Sequence, residues 1–225
     1  MSVTDFATAR ANMVNCQVRT TDVTDYAIID AMMEVPREHF VPSAMRFAAY
    51  IDEDIEVSPA TDEGPARYVL EPSPFAKMLQ LADIRPTDTV LDLGCATGYS
   101  AAILSKLCES VIAVEPDESL GGYAMETLSE LGIDNVAVVD GPLAEGYPKE
   151  GPFGVIVLEG SVEEVPEALF EQLREGGRLV AIIGTGLSGK AHLFSKENGI
   201  VSARPAFNAA VPQLPGFERD IGFVF

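Results

Sequence analysis

The sequence predicts an α/β protein built on a doubly wound, mostly parallel sheet, and three observations predict it. From residue 87 onward, short apolar runs alternate with segments whose apolar residues recur three or four apart. The runs VLDL, SVIAV, NVAVV, GVIVL and GRLVAII show little apolar–polar alternation, as expected of strands covered by helices on both faces. The first run ends in an acid and a glycine turn, Asp92-Leu93-Gly94-Cys95-Ala96-Thr97-Gly98. In doubly wound sheets, ligands sit beyond strand tips of this kind.

Taken in order, ARANMVNCQV (9–18) and DYAIIDAMMEV (25–35) have helical spacing, with Asp25 as N-cap of the second and Pro36 at its end. Residues 50–67, YIDEDIEVSPATDEGPAR, are acidic and rich in turn formers, which predicts a loop or edge region with a solvated acidic face. PSPFAKMLQLADI (72–84) returns to helical periodicity, with Pro72 and Pro74 at its start, where the ring is tolerated. TVLDLG, SVIAVEP, NVAVVDG, GVIVLEG and GRLVAIIG are strands. SAAILSKL, SLGGYAMETLSELG and VPEALFEQLREGG are the helices between them. After Gly184 the rhythm breaks, and AHLFSK, GIVSARPAF and DIGFVF predict antiparallel strands closing one sheet edge.

A chain of 225 residues that is 47% hydrophobic suits one domain with a substantial core. The 35 acids outnumber the 15 bases, for a net charge of −20. Such a surface repels phosphate backbones and anionic membranes, so neither nucleic acid nor a membrane is expected as a partner. No apolar run is long enough to span a bilayer, and MSVTDFATARANMVNCQVRT lacks the basic start and apolar block of a signal peptide. Cys16, Cys95 and Cys108 are odd in number and widely spaced, which predicts reduced thiols and a cytoplasmic setting. His39 and His192 have no Cys or His neighbour at ligand spacing, so both are expected to be structural, and no metal site is expected.

Two ligand classes use a glycine turn at a first strand tip: dinucleotides and S-adenosylmethionine. The spacing here is GxxxG, whereas a dinucleotide fingerprint requires GxGxxG, so a nicotinamide oxidoreductase is disfavoured. Asp92 opposes a pyrophosphate but suits a cationic sulfonium and ammonium. Glu115, about 20 residues past the glycines at the second strand tip, is placed to accept ribose hydroxyls. Asp140, at the third tip, is placed to accept from an adenine amino group. Strand-tip acids often serve only as caps, but three of them with a glycine turn form a ligand seat.

Several stretches resemble protein-L-isoaspartate O-methyltransferases, a family of Rossmann-type S-adenosylmethionine-dependent enzymes. AMMEVPREHFVP resembles the signature that precedes the family's active-site segment, and generic methyltransferases lack it. VLDLGCATGYSAAIL resembles the cofactor loop, VDG (139–141) the adenine-side motif, and VPEALFEQLREGGRLVAIIG the stretch into the fifth strand. The resemblance implies a seven-stranded methyltransferase sheet with a reversed edge strand, an N-terminal helical extension and extra C-terminal strands. It divides a single domain, 1–225, into an N-terminal and acceptor-side extension (1–86), a cofactor-binding core (87–184) and C-terminal strands (185–225). It further implies methyl transfer from S-adenosylmethionine to the carboxylate of isoaspartyl residues in damaged proteins or peptides. By motif position, the cofactor residues would be Asp92, Gly94, Cys95, Ala96, Gly98, Tyr99, Glu115, Pro116, Asp140 and Gly141.

Three departures accompany the resemblance. Ala96 stands where the family usually has glycine. Gly154 stands where the family usually has aspartate. The acceptor segment, roughly G-Q-T-I-S-Q-P in the family, reads Ala66-Arg67-Tyr68-Val69-Leu70-Glu71-Pro72 here. Tyr68, Leu70, Glu71 and Pro72 are therefore the acceptor-side candidates, and no single catalytic residue is assigned. Leu70 removes a hydroxyl that would touch the acceptor carboxylate, and Glu71 adds a charge that would repel it unless Arg67 neutralises it. Two alternatives stay open: the same donor with a different acceptor, for which Glu71 is a candidate base, or an S-adenosylmethionine-binding protein without catalysis.

Overall fold

The computed structural model describes residues 5–61, 64–185 and 188–218. Its central sheet starts with β3 (Thr89–Leu93), which lies parallel to β4 (Ser110–Val114) on one side and β6 (Phe153–Val162) on the other. β5 (Val136–Val139) pairs outside β4, and β7 (Leu173–Thr185) pairs outside β6, both parallel. β8 (Ser188–Glu197) then runs antiparallel between β7 and β9 (Ile200–Ala209). The order β5-β4-β3-β6-β7-β8-β9 gives the seven strands and the antiparallel edge that the sequence predicts, with the reversal carried by β8. DIGFVF lies outside the described residues.

The chain leaves β3 outward through β4 and β5, then crosses back to β6, so the winding reverses between the tips of β3 and β6. Successive residues of the inner strands face opposite cores. Val90, Val155, Val157, Val180 and Ile182 pack with the helices α1 (Phe6–Met13), α2 (Tyr26–Glu34), α3 (Pro72–Ala82) and α4 (Tyr99–Leu104). Leu91, Leu93, Ile156, Leu158, Leu179 and Ala181 face a second core with Leu143, Leu169, Leu214 and Phe217. Burial on both faces explains why the strands read as unbroken apolar runs. Each buried Val, Leu, Ile or Phe among them contributes about 1.5–3 kcal/mol.

The local signals hold at the predicted ends. Asp25 Oδ1 accepts from the Ala27 and Ile28 amides at the start of α2. Pro72 opens α3, and Asp117 caps α5 (Glu118–Glu130). The acidic stretch holds a short antiparallel hairpin, β1 (Ile55–Ser58) with β2 (Arg67–Val69). The helix predicted over 165–177 is only α6 (Glu167–Glu171), and the chain is extended again from Leu173. Gln172 breaks it: its carbonyl accepts from the Phe153 amide, and its side chain is spent on Tyr147, Glu145 and Ala168.

At the end of the sheet opposite the glycine turn, Asp88 is fully buried and pairs with Arg174 and Arg178. A Cβ on Gly154 would lie 2.5 Å from Asp88 Oδ1. The glycine that replaces the family's aspartate therefore makes room for this carboxylate.

Candidate active site

The turn after β3 alternates into the left-handed region, with φ of +89° at Gly94, +49° at Ala96 and +93° at Gly98. Gly98 is required twice over, because a Cβ there would meet the Ala124 Cβ of α5 at 2.9 Å. Ala96 holds a conformation that costs an L-residue about 1–2 kcal/mol. Its amide donates to Glu115 Oε2 at 2.7 Å, which anchors it. Cys95, Ala96 and Tyr99 are buried in and beside this turn. Burial, with the charges of Asp92 and Glu115, pushes the Cys95 thiol well above its ordinary pKa, which disfavours the thiolate.

Asp92 is fully buried at the tip of β3. Ser100 Oγ donates to its Oδ2 at 2.7 Å, while Oδ1 has no partner. Burial raises its pKa to about 7, against the Ser100 hydrogen bond and with help from Glu115. Across the switch point, in β6 just past its pairing with β3, Glu159 is also buried, and its Oε1 also lacks a partner. Burial, then the charge of Asp92, raises the Glu159 carboxyl well above the carboxylate range. A small cavity lies here, lined by Tyr68, Leu70, Gly94, Tyr99, Ser100 and Glu159. Buried unpartnered carboxyl oxygens are costly unless a cation or donor meets them.

Glu115 at the tip of β4 has a fully buried side chain and is engaged by Arg67 of β2 through both guanidinium nitrogens, Nη2 to Oε2 at 2.8 Å. Arg67 is therefore not free to neutralise Glu71. Glu71 instead has its amide bound to Asp54 Oδ1 at 2.8 Å. Its carboxyl is raised by partial burial and by Asp52, Asp54 and Glu53. Leu70 is buried, and its carbonyl accepts from Arg37 Nη2 at 2.8 Å. Arg37, from the signature VPREHFVP, is itself fully buried, donates to the Ala49 carbonyl at 2.8 Å and lies 4.7 Å over the Tyr99 ring. The Tyr68 hydroxyl points to Glu56, at 3.5 Å, and Pro72 opens the helix behind.

The structure thus gathers Asp92, Gly94, Cys95, Ala96, Gly98, Tyr99 and Glu115 with Tyr68 and Leu70. Asp140 and Pro116 are exposed, and Gly141 is half-buried, at the rim beyond β5 and β4. Pro116, Asp117 and Arg67 border an open groove. Sequence reasoning missed Glu159 and Arg37. Glu159 carries the same signal as Asp92 and Glu115, an acid ending an apolar run, in GVIVLEG.

These residues fit an adenosyl sulfonium. The buried, unpartnered Oδ1 of Asp92 suits its cationic end, the left-handed turn suits close backbone approach, and Glu115 suits a ribose once Arg67 leaves it.

A family profile described as protein-L-isoaspartate(D-aspartate) O-methyltransferase matches residues 9–211. A protein-L-isoaspartate O-methyltransferase of Opitutus terrae is 38% identical over 191 residues, covering 84% of this chain and 79% of the relative. One from Koribacter versatilis is 34% identical over 197 residues, covering 88% and 86%. A solved protein-L-isoaspartate O-methyltransferase superposes with a TM-score of 0.79 at 28% identity, over 92% of this chain and 66% of that one. A Plasmodium falciparum beta-aspartate methyltransferase, solved in complex with S-adenosyl-L-homocysteine, superposes with a TM-score of 0.75 at 21% identity, a likeness of fold.

Proposed function

The chain belongs to the protein-L-isoaspartate O-methyltransferase family, and from that premise we propose that it methylates the carboxylate of isoaspartyl residues in proteins or peptides. The observation that carries the reading is the trio of buried carboxyls, Asp92, Glu115 and Glu159, around the Gly94–Gly98 turn.

S-adenosylmethionine, when bound, supplies an electrophilic methyl group on a positively charged sulfur. Asp92, with Oδ1 free of other partners, would hold the cationic amino-acid end. Gly94, Cys95, Ala96, Gly98 and Tyr99 would line its path along the turn. Glu115 would accept the ribose hydroxyls, and Pro116, Asp140 and Gly141 would border the adenine. An isoaspartyl carboxylate, with an ordinary pKa of about 4, is already ionised near neutral pH, so the chain has no proton to remove. Its task is to align the reacting atoms and exclude water. Leu70, Phe75 and Tyr99 give the cavity apolar walls for that purpose. Residues 1–86 would serve the acceptor, 87–184 the cofactor, and 185–225 would close the sheet.

A second reading keeps the donor and changes the acceptor. Leu70 offers the acceptor no hydroxyl, and Glu71, raised by its acidic neighbours, suits the role of base for a hydroxyl or amine. The loss of that hydroxyl also supports a binding protein without catalysis. Labelled donor with an isoaspartyl peptide separates these readings. Base-labile methyl ester on that peptide, absent from its aspartyl twin, is expected; label appearing only on other components of an extract selects the second reading.

No helix among the described residues is long and apolar enough to cross a membrane. The three unpaired thiols support residence in the cytoplasm.

A further inference from the structure

Glu115, the carboxylate assigned above to the ribose, has no acceptor capacity to spare. A carboxylate offers about four lone-pair sites. Oε1 receives Arg67 Nη1 and the Asp117 amide, and Oε2 receives Arg67 Nη2 at 2.8 Å and the Ala96 amide at 2.7 Å. The two amides belong to the turns after β4 and β3 and are fixed by backbone. The guanidinium, at the end of a long side chain, is the part that can leave.

The guanidinium also lies against the glycine turn. A Cβ on Gly94 would meet Arg67 Nη2 at 3.3 Å and Leu214 Cδ2 at 2.7 Å. The cavity that Gly94 lines also contains Glu159, whose buried Oε1 has no partner. A saturated carboxylate that holds Arg67 and an unpartnered carboxyl thus lie beside the same glycine. Neutral ribose hydroxyls can replace the hydrogen bonds of a guanidinium but not its need for a counter-charge.

We propose that Arg67 is a two-position cation that sets donor affinity: it holds Glu115 in the arrangement seen here and passes to Glu159 when the ribose hydroxyls take Glu115. The inference rests on the donor assignment of the preceding section, not on the acceptor. It accounts for two features together, an arginine on the acceptor hairpin that reaches a cofactor carboxylate and a buried acid within β6 whose Oε1 has no partner. A ligand that needs the second position binds more weakly in proportion to the rarity of that position.

Calorimetry with S-adenosylhomocysteine tests this directly. Arg67→Gln removes the charge and keeps a hydrogen-bonding side chain, so it should bind the probe at least about tenfold more tightly than wild type, about 1.4 kcal/mol. Glu159→Gln removes the second position and should weaken binding about tenfold with Arg67 present. In the double variant that loss should vanish. Arg67→Ala serves as a further check; if it does not fold, the glutamine variants decide. Equal or weaker binding by Arg67→Gln overturns the proposal, as does a Glu159→Gln loss that persists without Arg67. If no variant binds, the proposal falls together with the donor assignment. Binding in the expected order with isoaspartyl peptide left unmethylated overturns the acceptor reading alone.

Discussion

Glu115 and Arg67 show how much a single buried pair decides. Removing one partner of such a pair leaves an uncompensated charge and costs about 3–5 kcal/mol. Glu115→Ala is therefore expected to lower the melting temperature as well as abolish S-adenosylhomocysteine binding in calorimetry; unchanged affinity would contradict the ribose assignment. On the acceptor side, Leu70→Ser with Glu71→Gln restores a donor and removes a charge. Initial-rate measurements on an isoaspartyl peptide should show kcat/KM rising about tenfold or more, in line with one charge-assisted hydrogen bond of about 1.5–3 kcal/mol. Asp92, Glu115 and the glycine turn were legible in the sequence because strand-tip acids and left-handed turns leave local marks. The partner of Arg67 was not legible, since it lies 48 positions away and only the fold brings it near. Glu159 carried the same mark as Asp92, at the end of an apolar run that sequence reasoning recognised only as a strand.

At the scale of elements, the five core strands and the antiparallel edge followed from apolar runs and their spacing. The shortened α6 did not, because Gln172 is called away by contacts with residues 145, 147 and 153 that periodicity cannot register. Gly154 is a similar case. From sequence it was an unexplained departure, and in the fold it is the space into which the Asp88 carboxylate fits. Gly154→Ala would set a Cβ 2.5 Å from Asp88 Oδ1 and 2.9 Å from its Cγ, in a cluster locked by Arg174 and Arg178. A loss of about 1–3 kcal/mol is expected in urea denaturation, with little change in donor affinity, since the cluster lies at the far end of the strands.

At the scale of the whole molecule, Asp92 and Glu159 are, among the described residues, buried carboxyls with raised proton affinity, and this shapes the response to pH. Asp92 has a pKa of about 7 in the fold against 3.8 ordinarily. Between those values the folded chain keeps a proton that the unfolded chain releases. Stability should therefore fall as pH rises from about 4 to about 7, and Asp92→Asn should flatten that slope in melts across the range. Binding of a cation at Asp92 requires the ionised form, so the stabilisation conferred by S-adenosylmethionine should grow over the same interval, and in Asp92→Asn it should be small and flat.

Arg37 has a mechanical consequence. One guanidinium fastens the carbonyls of Ala49 and Leu70 and rests on the ring of Tyr99, the first residue of α4. The chain at Ala49, the residue that follows β2 and the helix behind the glycine bend thus share one rivet. In the reading proposed above, a peptide pressing on the backbone at residue 70 would push, through that one guanidinium, on the ring that begins α4.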